Sequence, residues 1–268
     1  MRVEGGNSRK EINALSNLDF PRVTIVTAVY NGAAYLEQTI LSILSQTYKN
    51  IEYIIIDGGS SDSTLDIIKK YDDRISFWIS EPDKGIYDAW NKAILLATGE
   101  WIAFVGADDV VLSKAVEQFV DHIKQANNPN LEFISAKIQL VDFGLKPIRI
   151  KGEPWSWQRF RKFMDIGHVG AFHNVYLFRK YGMFDISFKI AADYEFLLRP
   201  REKLIASHME QITVLMRVGG FSNSNIRVFK EAYRAKVKTG GRNSLISKAE
   251  YIIALSKFYI RTMLSISK

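Results

Sequence analysis

Two adjacent carboxylates, Asp108 and Asp109, directly follow an apolar run in the segment FVGADD at 104–109. Adjacent carboxylates repel each other, and a fold keeps them together mainly where a cation or hydrogen-bond donors compensate the charge. A hard divalent ion such as Mg²⁺ takes one or two protein carboxylates and completes its shell with water and substrate phosphates. The alternative is that one carboxylate caps the helix predicted to begin near Ser113 while the other is solvated. The pair therefore predicts a divalent-cation site, with helix capping left open.

Two more polar segments follow apolar runs in the same way. Asp57 ends the run at 51–56, where its carboxylate could accept hydrogen bonds from a nucleotide base or ribose, or could close an Asx turn. In the segment EPDKG at 81–85, Gly85 permits close approach of the backbone and Lys84 suits an anionic group at the start of a helix. An ordinary proline turn explains that second segment equally well.

The segment AADYEFLL at 191–198 predicts a helix that carries two carboxylates, Asp193 and Glu195. Residues two positions apart on a helix point about 200° apart, so only one of the two is expected to face a site. A solvated helix start capped by Asp193 is the alternative. His168 and His173 lie five positions apart, which is poor spacing for a shared metal, so each is expected to pack or to form hydrogen bonds.

Apolar strands and amphipathic helices alternate four times in the first half of the chain. Strands are predicted at 22–29, 51–56, 75–79 and 101–105, and helices at 34–46, after Ser63, at 85–97 and at 113–125. Gly99 is expected to end the third helix in a left-handed cap. This alternation predicts an α/β fold with a mostly parallel central sheet and helices on both faces. Ligands of such sheets bind beyond the carboxyl ends of the strands, where the polar segments lie.

Past Asn127 the alternation stops. Strand-like segments at 131–141, 167–172 and 205–218 surround the helix near 192–198. We expect them to complete the sheet and to supply a face for a second substrate.

Together, five segments resemble the family 2 glycosyltransferases, which are inverting enzymes with the GT-A fold. They are VTIVTAVYNG at 23–32, IIIDGGSSDST at 54–64, WISEPDKGIYDAWNKA at 78–93, ATGEWIAFVGADD at 97–109 and ADYEFLLR at 192–199. They occur in family order over about residues 22–200. Two positions depart from the family pattern. Gly106 stands where many members have a further Asp, and Ala192 replaces an acidic residue that often precedes the catalytic base.

The resemblance implies a Rossmann-like pocket for a nucleotide-diphosphate sugar, with UDP-sugars favoured, and Mg²⁺ or Mn²⁺ as the cofactor. It implies donor contacts from Thr27, Val29, Tyr30, Asp57, Lys84, Gly85, Asn91 and Asp108, with Asp109 on the metal. Asp193 would be the general base, ionised at neutral pH by its ordinary pKa of about 3.9. His168 falls where relatives often place a histidine near the acceptor, and Glu195 is a second acceptor-side candidate.

These expectations divide the chain into four parts. Residues 1–21 form a polar lead-in and 22–126 a nucleotide-sugar-binding half. Residues 127–225 form a half that binds the acceptor and carries the catalytic base, and 226–268 a basic amphipathic helical tail.

Two other functions are weaker fits to these residues. A nucleotidyltransferase acting on a sugar phosphate would also use an Asp pair and a nucleotide site. It would normally show a Gly-rich basic loop after the first strand, where this chain has Tyr30-Asn31-Gly32. A non-enzymatic nucleic-acid binder leaves the acidic residues at the strand ends unexplained, and we expect no nucleic-acid partner.

The net charge of +7 is concentrated in the tail. From Arg227 to Lys268 there are ten Lys or Arg and two Glu, a balance of +8, which leaves −1 for the rest. From Leu245 onward, apolar residues share one helical face, and such a basic amphipathic helix can lie on an anionic membrane surface. Packing of that face against the protein body is the alternative.

Location is predicted from what the sequence lacks. It contains no cysteine, its first twenty residues have no apolar run typical of a secretory signal, and no uninterrupted apolar stretch reaches about 18 residues. We expect a cytoplasmic protein attached peripherally to the inner face of the plasma membrane. There the resemblance implies transfer to a saccharide acceptor, lipid-linked, in bacterial surface polysaccharide assembly.

Overall fold

The computed structural model of the protein describes residues 2–7, 20–219 and 226–266. Its strands are β1 (Val3–Gly5), β2 (Val23–Val29), β3 (Ile51–Asp57), β4 (Phe77–Ser80), β5 (Trp101–Gly106), β6 (Val110–Val111), β7 (Phe133–Val141), β8 (Pro147–Lys151), β9 (Phe172–Asn174) and β10 (Ala206–Arg217). Its α-helices are α1 (Leu36–Leu44), α2 (Thr64–Lys70), α3 (Ile86–Leu96), α4 (Ala115–Ala126), α5 (Trp157–Phe160), α6 (Val175–Tyr181), α7 (Ala192–Leu198), α8 (Arg227–Lys238) and α9 (Ser244–Ile266). Short 3₁₀ turns lie at His168–Gly170 and Arg201–Lys203.

These strands form one mixed sheet in the order β1-β4-β3-β2-β5-β9-β7-β10-β6, with β8 paired to β7. The four strands β4, β3, β2 and β5 are mutually parallel, so their carboxyl ends meet at one edge. Strand order reverses between β2 and β5, and a crevice forms where an α/β sheet changes direction in this way. The mostly parallel sheet predicted from the sequence is confirmed.

Helices cover both faces of the sheet, as predicted. Along β3, Tyr53 and Ile55 pack into the core on the face covered by α1 and α4. Ile54 and Ile56 pack into the core on the opposite face, beneath α3 and α7. A strand buried on both sides needs a continuous apolar run, which is why its sequence shows no polar alternation.

The second half of the chain continues the same sheet. Strand β9 pairs antiparallel with both β5 and β7 and so joins the two halves. Strand β10 lies parallel to β7, and β6 closes the far edge against β10.

Two local predictions were wrong, and one strand was not predicted. The unpredicted strand is β1, within the polar lead-in, which adds an antiparallel edge strand to β4. Gly99 is not a left-handed cap, because α3 ends at Ala97 in extended backbone; a Cβ on Gly99 would instead lie 2.5 Å from Oγ1 of Thr24. The segment at 167–172 is a 3₁₀ turn followed by β9 rather than one strand.

The tail consists of two helices that pack on each other. The rings of Phe229 and Phe258 lie 5.6 Å apart, and those of Tyr233 and Tyr251 lie 6.0 Å apart. The opposite face of α9 is apolar and exposed, with half or more of each of these side chains in solvent: Leu245, Ile246, Ile252, Ile253, Tyr259 and Ile260. Within the described ranges no helix is both long enough and apolar enough to cross a bilayer.

Candidate active site

A cavity of about 900 Å³ opens at the carboxyl edge of β2 and β5. Its walls come from the loops after those two strands, the first turn of α3, the 3₁₀ turn at His168–Gly170, the first turn of α7 and the end of β10. A cavity of this size falls within the usual range for cofactor-sized ligands. Of the residues predicted from the sequence, those that line it are Val29, Tyr30, Gly85, Asp108, Asp109, His168 and Asp193.

The carboxylates of Asp108 and Asp109 converge over Gly106. Oδ2 of Asp109 and Oδ1 of Asp108 lie 2.6 and 3.0 Å from where a Cβ on Gly106 would stand. The other oxygen of Asp109 accepts a hydrogen bond from the backbone N–H of Arg217 at 3.1 Å. Burial, followed by the charge of Asp108, raises the pKa of Asp109 to about 7. Neither carboxylate caps α4, whose N-cap position is held by Lys114, so the capping interpretation is wrong.

These two carboxylates fit a hard divalent ion. Their oxygens lie side by side at the cavity wall, and burial together with the charge of Asp108 raises the pKa of Asp109, although the charge of Arg217 acts in the opposite direction. The described residues contain no group of three or more acidic, His or Cys side chains arranged for a metal. A cation held here would therefore complete its shell with water and ligand phosphates, as Mg²⁺ usually does.

Asp193 lies in the first turn of α7 and is partly exposed to the cavity. Its Oδ1 accepts hydrogen bonds from the Tyr87 hydroxyl at 3.1 Å and from the Tyr194 N–H at 2.8 Å. Enclosure by protein raises the pKa of Asp193 to about 6, with the Tyr194 and Tyr87 bonds and the positive charge of Lys151 acting in the other direction. The expected ordinary pKa is therefore wrong, because burial outweighs these contacts. The N-cap of α7 is Ala191, so Asp193 does not cap the helix.

Glu195 points away from the cavity, as the helical spacing predicts. It is 6% exposed and is paired with Arg199, and it accepts a hydrogen bond from Oγ1 of Thr239 at 2.8 Å. With its carboxylate committed to these partners, Glu195 is not available to an acceptor in the cavity, which corrects its assignment as an acceptor-side candidate.

His168 packs against two aromatic rings at the cavity wall. Its ring centroid is 5.2 Å from that of Trp90 and 5.7 Å from that of Phe104. Burial lowers the pKa of His168 to about 3, so the imidazole is neutral. Its Nε2 is buried and has no hydrogen-bond partner among the described residues.

Three predicted donor residues lie outside the cavity lining because partners within the protein occupy their polar atoms. Thr27 is fully buried, and its Oγ1 accepts a hydrogen bond from the Tyr53 hydroxyl at 3.2 Å. Asp57 is also fully buried, and its carboxylate accepts hydrogen bonds from the side chains of Ser60 and Ser80, so the turn interpretation is favoured. The third is Asn91, whose amide bonds both backbone groups of Phe184.

Lys84 is exposed and likewise lies outside the main cavity. Its carbonyl accepts a hydrogen bond from Nζ of Lys189 at 2.7 Å, and it is Lys189 that lines the cavity. The lysine that lines the cavity therefore comes from the loop before α7, and Lys84 in the loop before α3 does not line it.

Tyr87, Lys189 and Arg217 line the cavity but were missed as site residues. Arg217 ends β10, and its guanidinium lies 4.6 Å from the centre of the Tyr35 ring. Lys189 and Arg217 stand outside the five motif segments and carry no local signal. Tyr87 lies inside one of them, in GIYDAWNKA at 85–93, so its motif could have indicated it.

Comparison with known proteins identifies relatives of the chain. The model of glycosyl transferase family 2 matches residues 24–181. An uncharacterized glycosyltransferase of Mycobacterium tuberculosis is 33% identical over 189 residues, which cover 67% of this chain and 68% of the relative. A PGL/p-HBAD biosynthesis glycosyltransferase of Mycobacterium bovis is 27% identical over 211 residues, covering 76% of this chain and 80% of the relative.

Solved structures share the fold. S. aureus TarS, residues 1–349, in complex with UDP-GlcNAc has a TM-score of 0.66 at 16% identity, covering 86% of this chain and 70% of TarS. The mannosyltransferase PcManGT from Pyrobaculum calidifontis, in complex with GDP-Man and Mn²⁺, has a TM-score of 0.63 at 17% identity, covering 91% and 74% of the two chains. The GT-A fold predicted from the motifs is confirmed, and the chain belongs to glycosyl transferase family 2.

Proposed function

We propose that this glycosyltransferase moves a sugar from a nucleoside-diphosphate donor to an acceptor hydroxyl with inversion at the anomeric carbon, using Asp193 as the general base. The observation that carries the proposal is the shared cavity: Asp193 lines it from α7 while Asp108 and Asp109 line it from the end of β5. The end of the cavity at Asp108 and Asp109 can hold a diphosphate, and the end at Asp193 can accept a proton.

Asp193 is suited to take the proton of an acceptor hydroxyl. Both of its hydrogen bonds fall on Oδ1, which leaves Oδ2 to face the incoming group. A pKa of about 6 keeps most of the carboxylate ionised at neutral pH and brings its basicity closer to the working pH, where general bases are most effective. Because Glu195 points away, α7 offers the acceptor one carboxylate, which is what a single displacement needs.

The diphosphate end combines acidic and basic groups. Asp108 and Asp109 would hold Mg²⁺ or Mn²⁺, which when bound stabilises the negative charge of the departing nucleoside diphosphate. Lys189, Arg217 and Arg227 add positive charge to the same cavity and attract an anionic donor. UDP-GlcNAc in TarS and GDP-Man with Mn²⁺ in PcManGT support a nucleotide-sugar donor of this kind, and we favour UDP-sugars.

A product assay tests the reaction type. The enzyme is incubated with UDP-, GDP- and dTDP-sugars in the presence of Mn²⁺, and the released phosphates are identified by chromatography. Glycosyl transfer releases a nucleoside diphosphate. Release of pyrophosphate from a nucleoside triphosphate and a sugar phosphate would instead identify the nucleotidyltransferase.

We also propose that the acceptor is a saccharide carried on a lipid, in bacterial surface polysaccharide assembly, and that α9 holds the cytoplasmic enzyme on the inner membrane surface. At 100° per residue, the exposed apolar side chains of α9 form one stripe. Lys248 and Lys257 border this stripe on its two sides, while the opposite face packs on α8. An exposed apolar face flanked by lysines is complementary to an anionic lipid surface.

Flotation with phosphatidylglycerol vesicles tests the membrane surface. We expect the wild type to float, with binding that weakens as salt is raised, since the lysine contribution is screened. The double variant Ile252→Glu with Ile253→Glu should stay in solution, because it places two charges in the apolar stripe. Leu95→Glu is the control, since Leu95 is an exposed apolar residue on α3, outside the stripe.

Equal flotation of the wild type and the double variant would remove α9 from the membrane contact. A second copy of the chain would instead cover the stripe if the wild type does not bind vesicles and is a dimer while the double variant is a monomer.

A further inference from the structure

Glu231 is a buried carboxylate in the basic tail. It lies in α8, is 6% exposed, and its carboxylate accepts hydrogen bonds from three consecutive backbone N–H groups. Oε2 accepts from Lys189 at 3.0 Å, Ile190 at 2.8 Å and Ala191 at 3.1 Å, and Oε1 also lies 3.0 Å from the Lys189 N–H. Hydrogen bonds to an ionised acceptor are stronger than neutral ones, so this contact fixes the loop firmly.

The fixed loop leads directly into the proposed base. Ala191 is the N-cap of α7, and Asp193 follows two residues later. The carbonyl of Ile190 lies 2.6 Å from the Tyr87 hydroxyl, which also contacts Asp193 at 3.1 Å. The position of the loop therefore sets where both Asp193 and its hydrogen-bonding partner stand.

A second contact from the same face of α8 holds the preceding residues. Arg234 lies three positions after Glu231, so the two side chains share one face of the helix. The guanidinium of Arg234 stacks 3.8 Å from the centre of the Phe188 ring and donates a hydrogen bond to Asp185 at 3.3 Å. We define the base loop as residues 185–191; α8 contacts it at both ends.

We propose that Glu231 is a positioning residue for Asp193, which makes α8 part of the catalytic unit rather than a separate tail. This inference rests on the proposed function in one respect, the role of Asp193 as base. The region that the family model matches ends at residue 181, so Glu231 lies outside it. Misplacement of a reacting group by about 1 Å can cost about 10²-fold in rate.

The test compares two substitutions in the tail. Glu231→Gln removes the charge that holds the base loop. Glu250→Gln is the control, because Glu250 pairs with Lys236 and Arg242 within the tail and does not contact the base loop. We expect Glu231→Gln to lower kcat about 10-fold or more and to keep most of the stabilisation by nucleoside diphosphate, because Asp108 and Asp109 lie outside the base loop although Lys189 lies within it. Glu250→Gln should keep the wild-type kcat.

Two readouts separate positioning from a general structural role. Hydrogen exchange of the Lys189, Ile190 and Ala191 amides should accelerate in Glu231→Gln and not in Glu250→Gln.

The second readout is the pH profile of kcat. The groups facing Asp193 are Tyr87 from α3 and Lys151 from β8, and the Tyr87 bond lowers the pKa of Asp193. A loosened loop weakens that bond, so the acid limb of the kcat profile should move to higher pH. Glu231→Asp, which keeps the charge, should recover part of kcat and replaces the Gln variant if that one does not fold.

Wild-type exchange at the three amides together with wild-type kcat in Glu231→Gln would overturn the inference. If the wild-type enzyme transfers no sugar from any donor, the proposed function fails, and the exchange comparison still decides whether Glu231 holds the loop.

Discussion

Asp193→Asn is expected to slow sugar transfer by about 10²–10⁴-fold, the usual cost of removing a positioned general base. The substitution is nearly isosteric, so the cavity keeps its shape, but the amide cannot take the acceptor proton. Donor binding should persist, because Asp108 and Asp109 lie in the loop after β5, whereas Asp193 lies on α7. The measurement is nucleoside diphosphate release at saturating donor, paired with the shift in melting temperature that the donor causes.

The pH profile of the wild type provides an internal check on this result. Since the base must be deprotonated, and enclosure raises the pKa of Asp193 to about 6, kcat should rise with pH through about 6 and level off above it. The pH profile of Asp193→Asn should lack this rise in kcat.

Glu195→Gln is the matched control on α7. It should lose less activity than Asp193→Asn, since Glu195 is bonded to Arg199 and Thr239 outside the cavity. If Asp193→Asn keeps near-normal turnover while Glu195→Gln has no measurable activity, the base is assigned to the wrong carboxylate.

Asp109→Ala is expected to abolish measurable transfer, a loss of about 10³-fold or more, because a bound metal contributes several kcal/mol of charge stabilisation. The wild type should lose its transfer activity in EDTA and regain it when excess Mg²⁺ or Mn²⁺ is added. The fold should survive, because the substitution removes a buried carboxylate whose raised pKa already marks an unfavourable charge. Circular dichroism and the melting temperature check the fold separately from activity.

Asp108→Ala should weaken donor binding as well as transfer, since its oxygen shares the space over Gly106 with that of Asp109. Full activity of the wild type in chelator would remove the metal from the mechanism. It would leave Asp108 and Asp109 as hydrogen-bond acceptors for the donor.

The alternation of strands and helices, and the location of the cavity at the carboxyl ends of the strands, could be predicted because they depend on local signals. Runs such as that at 51–56 are apolar without alternation only because both faces of β3 are buried. Strand β1 was not predicted because three residues carry no periodicity, and the strand β4 with which it pairs lies far along the chain.

Some predicted site residues lie outside the cavity because a partner elsewhere in the chain occupies their polar atoms. Asp57 and Asn91 have the side chains and spacing of ligand-binding residues, yet Ser80 and Phe184 occupy them, 23 and 93 positions away in the chain. The bond of Asp57 to the nearby Ser60 belongs to the turn that the sequence did indicate. No local pattern encodes the two distant contacts. The same holds for Glu231, whose acceptor role depends on a loop about 40 residues earlier in the sequence.

The pKa of Asp193 was predicted wrongly for a related reason. Ala192 replaces the acidic neighbour expected to tune the base, and the sequence offers no substitute. In the folded protein, burial raises this pKa without a neighbouring carboxylate.

The anomeric configuration of the first product tests the central claim most directly. The enzyme is incubated with Mn²⁺ and a UDP-sugar whose sugar is α-linked, with a simple alcohol as acceptor, and the glycoside is observed by proton NMR. A single displacement assisted by Asp193 predicts a β-linked product. An α-linked product would contradict the inverting mechanism and the role of Asp193 as its base.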